Sequence, residues 1–305
     1  MTAIFSQARF QNADAARQHL EQLRWPTGAI CPHCGGTERN VLLQGKATRP
    51  GLYFCGDCRT QFTVTVGTVF ERSKIALNVW LQAVHLMCAS KKGVSAKQIE
   101  RMLGVTYKTA WFMCHRIREA MTNPNGGMLG GPGKPVEADE IYWGTAPGKT
   151  KRPGWRHKLK VASLVERDGQ KRSFHVANVN ANTLRPILTE NIKRSTHLMT
   201  DEAVVYTRLG GNFRAHSTVN HSAGEYSRGN VTTNTVESSF AILKRGLYGT
   251  FHNVSEKHLQ RYADEFDFRW NHRVALGCTD TQRADAALKG IAGKRLMYRN
   301  SQPLA

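Results

Sequence analysis

Apolar positions along the chain change their period near residue 135. Before that point they recur every three to four residues, the spacing of amphipathic helices. One such run covers 10–24, with Ala15, Leu20 and Leu23 on its buried side and Trp25-Pro26 closing it; a second covers 76–90. Two shorter runs follow between residues 95 and 121. Ser95 is placed to cap a helix ending at Leu103, Gly104 and Val105 to turn the chain, and Thr106 to cap a second helix running to about Met121. From Pro135 onward strands alternate with helices. Val136–Trp143, 158–166, 173–178 and 196–200 read as strands, the second and third joined by a turn at Arg167, Asp168 and Gly169. Helices are expected over 182–192, 231–249 and 255–272, and in the second of these Val236, Phe240, Leu243 and Leu247 share one face. Between the two regimes, 123–134 is rich in Gly and Pro and cannot hold a helix, so it reads as a linker.

These breaks predict a multidomain α+β protein. Its expected parts are an N-terminal helix over 1–26, a small strand-rich module over 27–72, a helix-turn-helix region over 73–122, the linker over 123–134, a mixed α/β domain over 135–275, and a tail over 276–305. A mixed sheet led by a β-hairpin, with helices against it, suits a ribonuclease-H-like core.

The small module owes its definition to cysteine. Cys31 and Cys34 form C-P-H-C, Cys55 and Cys58 form C-G-D-C, and short strands over 40–45, 52–55 and 61–67 surround them. A two-residue gap lets a tight knuckle aim both sulfurs at one metal, and two such pairs make a Cys₄ zinc ribbon rather than a single redox pair. His33, inside the first knuckle, reads as a bystander. Cys88, Cys114 and Cys278 are isolated on apolar stretches and read as core residues.

Charge changes the picture most. Forty-three Lys and Arg against 23 Asp and Glu give a net charge of +20. A hydrophobic content of 40% excludes a disordered chain, and no apolar run reaches the ~18 residues a membrane span needs. The N-terminus lacks a signal-peptide core, so a cytoplasmic protein that binds DNA, with no membrane partner, is expected. In the helix-turn-helix region the second helix would enter the major groove, with Thr106, Tyr107, Lys108 and Thr109 near base edges and Arg116 and Arg118 reaching phosphates. The stretch 149–160 is dense in Lys and Arg around one Trp. It reads as a phosphate-gripping arm, with Lys151, Arg152, Arg156 and Lys158 as contacts.

Three acids supply candidate chemistry. Asp139 lies within a strand-like run (V-E-A-D-E), Asp201 ends another, and Glu237 falls on the helix over 231–249. Three acids gathered by two strands and a helix can hold a pair of Mg²⁺ or Mn²⁺ ions that activate water or a 3′-hydroxyl for attack on phosphate. Lys244 lies seven residues beyond Glu237, almost two turns, and shares its face; Asn234 projects nearby. Glu137 and Glu140 flank Asp139 and compete for its role, and Asn234 with Glu237 also fits a capping box. His216, His221 and His252 can approach such a site, none of them as an expected metal ligand.

The motifs R-W-P-T-G-A-I-C-P-H-C-G, Q-F-T-V-T-V-G-T-V-F, V-E-A-D-E, N-H-S-A-G-E-Y and T-V-E-S-S-F-A-I-L-K-R-G-L-Y-G-T together resemble ISXO-like insertion-sequence transposases over nearly the whole chain. The resemblance implies a DDE-type transposase of a bacterial insertion sequence, nucleoid-associated when bound to DNA. Asp139, Asp201 and Glu237 would be its metal acids and Lys244 its supporting cation. Some relatives carry Asn as the third residue, which points to Asn234; an anionic oxygen suits Mg²⁺ better and favours Glu237. On this reading the N-terminal modules hold terminal inverted repeats, the acids direct cleavage and strand transfer into target DNA, and the chain forms a dimer or larger assembly on DNA. Two alternatives share the motifs: a catalytically inert DNA-binding regulator, and a structure-selective nuclease that cuts without joining.

Overall fold

The computed structural model describes residues 3–123 and 126–297; Pro124 and Asn125 of the expected linker and 298–305 of the expected tail lie outside the described residues. The chain divides into two compact units, 1–122 with 279–305, and 123–278.

The first unit opens with α1 (Ala8–Gln11) and α2 (Ala13–Arg24). Asn12 separates them, its side chain accepting from the amides of Asp14 and Ala15. That break resets the helical phase, so Ala16 and Leu20 are buried, whereas Ala15 and Leu23 are only half-buried. The ribbon follows as an antiparallel sheet of β1 (Asn40–Leu42), β2 (Tyr53–Cys55) and β3 (Gln61–Phe62) in that order. β3 is shorter than the pattern over 61–67 suggests, because the Val66 amide bonds back to the Thr63 carbonyl and starts a turn. Trp25, Tyr53 and Phe62 form the ribbon's apolar centre, their ring centroids 5.5–5.8 Å apart.

Next come α3 (Leu77–Ala89), α4 (Ala96–Leu103) and α5 (Tyr107–Met121). Ser95 and Gln98 close a capping box at the start of α4. Gly104 ends α4 at φ 64°, a conformation that costs glycine nothing, and Thr106 caps α5 by accepting from the Thr109 amide. The segment expected to be a tail carries a further helix, Asp280–Lys289, packed on α2, α3 and α5. Arg283, buried, donates to the Cys88 carbonyl at 2.9 Å, and Lys294 donates to the carbonyls of Ala120 and Thr122 at the end of α5. Cys88 and Cys114 are buried as expected, while Cys278 sits half-buried in a loop.

The second unit is built on a five-stranded sheet: β4 (Val136–Trp143), β5 (Leu159–Glu166), β6 (Lys171–Val176), β7 (His197–Asp201) and β8 (Ala215–Val219), in the order β6-β5-β4-β7-β8. β6, β5 and β4 run antiparallel; β7 and β8 run parallel to β4. Strand alternation gives the sheet two apolar faces. Ile141, Trp143, Val161 and Val165 meet α8 (Asn234–Gly246) and α9 (Glu256–Asn271) through Val236, Phe240, Leu243, Leu259 and Phe266. Val136, Ala138, Ala162 and Leu164 meet α6 (Ala181–Asn191) and α7 (Val204–Gly210) through Leu184, Leu188, Tyr206 and Leu209. The helix expected over 231–249 begins later, because Val231–Thr232 pairs with Ser227–Arg228 as a small hairpin, β9 and β10. What reads as linker is stitched to this sheet: Leu129 is buried and bridges to Ile192, and the Gly130 amide donates to Glu166 at 2.7 Å.

Side chains of α9 cover the edge strand β6. Asn271 bonds both backbone groups of Lys171, and Gln260 accepts from the His175 amide and donates to the Ser173 carbonyl. Such bonds occupy the outward-facing groups that would otherwise recruit another strand. Beneath them Lys171, 1% exposed, pairs with Asp267 at 3.4 Å, and Ser173 donates to the same carboxylate. Burial lowers the lysine's pKa and raises the aspartate's, so neither charge is solvated and each depends on the other. Asp267→Ala should therefore cost about 3–5 kcal/mol, because Lys171 is left buried without a partner. A drop in the denaturant midpoint, larger than for the double variant Asp267→Ala/Lys171→Met, checks this. No helix among the described residues is long and apolar enough to cross a membrane.

Candidate metal centres and nucleic-acid interface

Four sulfurs converge in the ribbon. Cys31 and Cys58 Sγ atoms stand 3.6 Å apart, as do those of Cys34 and Cys55. That is close to the ~3.8 Å edge of a tetrahedron with Zn–S bonds of ~2.3 Å, and far beyond the ~2.05 Å of a disulfide. Among the described residues these cysteines form the only group of three or more His, Cys, Asp or Glu side chains whose ligand atoms all lie within 4.8 Å of one another. Both knuckles turn through the left-handed region just after their second cysteine, at Gly35 (φ 78°) and Arg59 (φ 55°). The Cys31 amide bonds to the Gly36 carbonyl and the Cys55 amide to the Thr60 carbonyl, which closes each knuckle. Hydrogen bonds within the group divide its protons unevenly. Thr60, then Cys31 and Cys34, pull the Cys58 thiol down to about 6, whereas Cys34 is pushed up to about 12 despite its bond from the Gly36 backbone. A metal must therefore displace protons to bind all four as thiolates. The donor set fits a structural zinc. His33 is exposed and outside the group.

The acids of the sheet are ordered by strand and helix geometry. Asp139 lies in β4 on the face that meets α8. Parallel register pairs Glu137 with Met199, and two residues further along both strands stand Asp139 and Asp201. Glu237 is in the first turn of α8. Burial, then Glu140, Asp201 and Glu237 in turn, push the Asp139 carboxyl up to about 8. Asp201 is raised as well, first by burial and also by Glu202 and Glu237. The three acids therefore feel one another, although they are not drawn together as tightly as the cysteines. Neither Asp139 nor Asp201 has a Lys or Arg partner among the described residues, and Glu237 pairs only with His221. Hard oxygen donors at mutually repelling, unneutralised acids suit Mg²⁺ or Mn²⁺.

The competing acids have other partners. Glu137, fully buried, accepts from the amides of Thr235 and Val236, from the Thr235 hydroxyl and from Arg167. It thus caps α8 from the neighbouring strand, in place of the Asn234–Glu237 capping box, and fixes the helix that carries Glu237. Glu140 points to the opposite face, where the buried Tyr206 hydroxyl donates to it; burial first, then Asp201, hold its carboxyl near 7 despite that bond. Arg167 also holds Asn230 in the β9–β10 turn, tying the hairpin to Glu137.

His221 joins this group. Its Nε2 lies 3.1 Å from the Thr233 hydroxyl and 3.2 Å from a Glu237 oxygen, and Thr233 donates to Glu237 at 2.7 Å. Glu202, beside Asp201, fixes the His221 loop by accepting from the amides of His221 and Ser222 and from the Ser222 hydroxyl, which lowers its pKa to about 2. The signal for this loop was its motif, N-H-S-A-G-E-Y. His216 instead meets the Thr200 hydroxyl, and His252 is exposed at φ 56°. Asn234 and Lys244 are exposed on α8, Asn234 donating its amide to Thr232.

Of the residues expected at DNA, Thr106, Tyr107 and Lys108 are exposed at the start of α5, with Lys97 over the Tyr107 ring. Thr109 is half-buried and bonded to Thr106. Arg118 is 2% exposed and turned into the core, so it is not placed to reach a phosphate. Arg116 is half-buried, stacked over Phe112 and donating to the Leu296 carbonyl. In the arm, Lys151, Arg152 and Arg156 are exposed and Lys158 half-buried.

Fold and site together define a basic protein with a metal-binding ribbon and an acid-lined α/β domain. Two stretches of the chain match transposase domain families. The ISXO2-like transposase domain matches residues 128–271, and the transposase zinc-ribbon domain matches residues 11–61. The chain is also 29% identical over 279 residues to an uncharacterized protein in transposable element ISH50 of Halobacterium salinarum, covering 85% of this chain and 91% of that relative.

Proposed function

We propose that the protein is a DDE-type transposase of an insertion sequence, which cleaves DNA at terminal inverted repeats and joins the freed 3′-ends to target DNA. The observation that supports this reading is that Asp139 and Asp201 stand on the adjacent interior strands β4 and β7, with Glu237 in the first turn of the covering helix α8, while Glu137 and Glu140 are engaged elsewhere. Three antiparallel strands followed by two parallel ones, with acids on the first and fourth, support a ribonuclease-H-like core. The helix pair α4–α5, with its Gly104 turn and exposed Thr106, Tyr107 and Lys108, supports a helix-turn-helix that reads duplex DNA.

In this mechanism Asp139, Asp201 and Glu237 would hold two Mg²⁺ or Mn²⁺ ions, which would supply activation of the attacking oxygen and neutralisation of charge on the phosphate. Thr233 and His221 hold the Glu237 carboxylate in place, and Glu137 fixes its helix. Lys244, exposed almost two turns along the same helix, grips the phosphate backbone, and the cations of the arm extend that grip. Two ends must be held at once, so a dimer or larger assembly on DNA is part of the proposal.

Metal occupancy should carry a defined pH dependence. An Asp139 carboxyl near 8, against ~3.9 in the unfolded chain, keeps a proton in the native state that the unfolded state has lost. Stability of the Mg²⁺-free, zinc-loaded protein should thus fall as pH rises from about 4 to 8. Added Mg²⁺ should raise the melting temperature more at pH 8 than at pH 6, and in Asp139→Asn this difference should vanish. Thermal melts with and without Mg²⁺ check it. Manganese binding followed by electron paramagnetic resonance tests the site itself: wild type should take up two ions per chain. Undiminished uptake by Asp139→Asn and Asp201→Asn would remove the acids from that role.

A further inference from the structure

The arm between β4 and β5 holds more than positive charge. The Ala146 amide bonds to the His157 carbonyl at 2.7 Å and closes the loop at its base. Within it the Lys149 amide bonds to the Ala146 carbonyl and the Lys158 amide to the Trp155 carbonyl, so both limbs are turned rather than extended. They border a cleft of about 500 Å³, lined among others by Lys149, Arg152, Trp155, Arg156 and His157. That volume lies within the ~300–1,000 Å³ of sites that take small organic groups.

Trp155 is the unexplained residue of this cleft. It is 49% exposed, although phosphate contact alone needs only the cations around it. Gly154, at φ 90°, sets the backbone just before it, a conformation other residues rarely adopt. One face of the site is backed by Tyr142, whose ring lies 5.4 Å from that of Trp155. Tyr142 is three residues along β4 from Asp139, ~10 Å of strand, and shares the face of Glu140, opposite to that of Asp139. After burial, the charges of Glu140, Asp139 and Asp201 raise its hydroxyl to about 12, which places this ring within the field of the acids. No Asp or Glu occurs between Trp143 and Glu166, so nothing in the arm repels a polyanion.

We propose that Trp155, backed by Tyr142 and flanked by Lys149, Arg152 and Arg156, is a stacking site for an unpaired nucleobase of bound DNA. Bases within a duplex already stack on one another and offer no free face, so only an unpaired or extruded base fits. The flanking cations hold the phosphates on either side of it. The inference rests on the proposed DNA-processing role and adds to it a contact to a base rather than to the backbone.

The test uses full-length, zinc-loaded protein and two labelled probes: a fully paired duplex, and the same duplex interrupted by a short oligothymidine gap. Fluorescence anisotropy gives affinities for wild type, Trp155→Ala and Trp155→Phe. Wild type should prefer the gapped probe. Trp155→Ala should bind it about tenfold more weakly while holding the paired duplex within about twofold, and Trp155→Phe should recover most of the loss. Equal loss on both probes, no loss on either, or no preference by wild type would overturn the stacking site. The assay requires no cutting, so such a result leaves strand transfer at the acids standing. A protein that shows the Trp155 effect yet joins no DNA contradicts only the transposase reading.

Discussion

Asp139→Asn, Asp201→Asn and Glu237→Gln should each reduce DNA cutting and joining by about a thousandfold or more, the scale of several kcal/mol of lost transition-state stabilisation. Binding of the same DNA should be unchanged or slightly tighter, because Asp201→Asn and Glu237→Gln each remove an acid from a site that receives phosphate and Asp139→Asn replaces a carboxyl that is already protonated below about pH 8. The size of the effect follows from the geometry. Asp201 and Glu237 both raise the pKa of Asp139, Glu237 raises that of Asp201, and among the described residues neither aspartate has a lysine or arginine partner to offset a lost ligand. Glu137→Gln offers a sharp contrast. It touches no reacting group in this mechanism, but it holds the start of α8 through two amides and Arg167. It should lower stability and activity together, whereas Asp139→Asn should lower activity and raise the stability of the Mg²⁺-free protein. Parallel measurement of single-turnover cleavage and melting temperature separates the two behaviours.

Removing zinc should have the second large consequence. The ribbon has strands of three, three and two residues and an apolar centre of three aromatic rings, too little to offset the entropy of ordering its loops. Structural zinc supplies roughly 10–16 kcal/mol in comparably small modules. Chelation, or Cys31→Ser, should therefore unfold the ribbon and expose Tyr53 and Phe54 to chymotrypsin, while the sheet unit, 123–278, retains its resistance. Zinc should restore protection to the chelated wild type and not to Cys31→Ser. Cleavage at the same rate with and without zinc would contradict a structural role for the metal.

Much of this fold was legible because local chemistry and tertiary structure agree. Ser95, Gly104 and Thr106 mark the ends of α4 and α5, and the structure uses all three as caps or turns. β4 runs from Val136 to Trp143, as its pattern predicts. The misses share a cause: the decisive partner lies far along the chain. Glu137 and Asp139 look equivalent in V-E-A-D-E, and only the Thr235 and Val236 amides, almost a hundred residues on, separate a helix cap from a candidate ligand. β8 reads A-H-S-T-V and, as an edge strand, buries only Val219 of these, leaving no alternation to detect. The helix Asp280–Lys289 has few large apolar side chains, and its place is set by Arg283 reaching the Cys88 carbonyl. Arg118 belongs with these, since a cation on a basic helix gives no local sign that it faces the core.

The central claim is that one acid site both cuts and joins DNA. A Mg²⁺-dependent reaction of labelled element ends with a supercoiled plasmid tests it most directly, with wild type run beside Asp201→Asn and Glu237→Gln. Joined products from wild type alone are the expected result. Tight binding of the ends with no joining by any of the three proteins would contradict it.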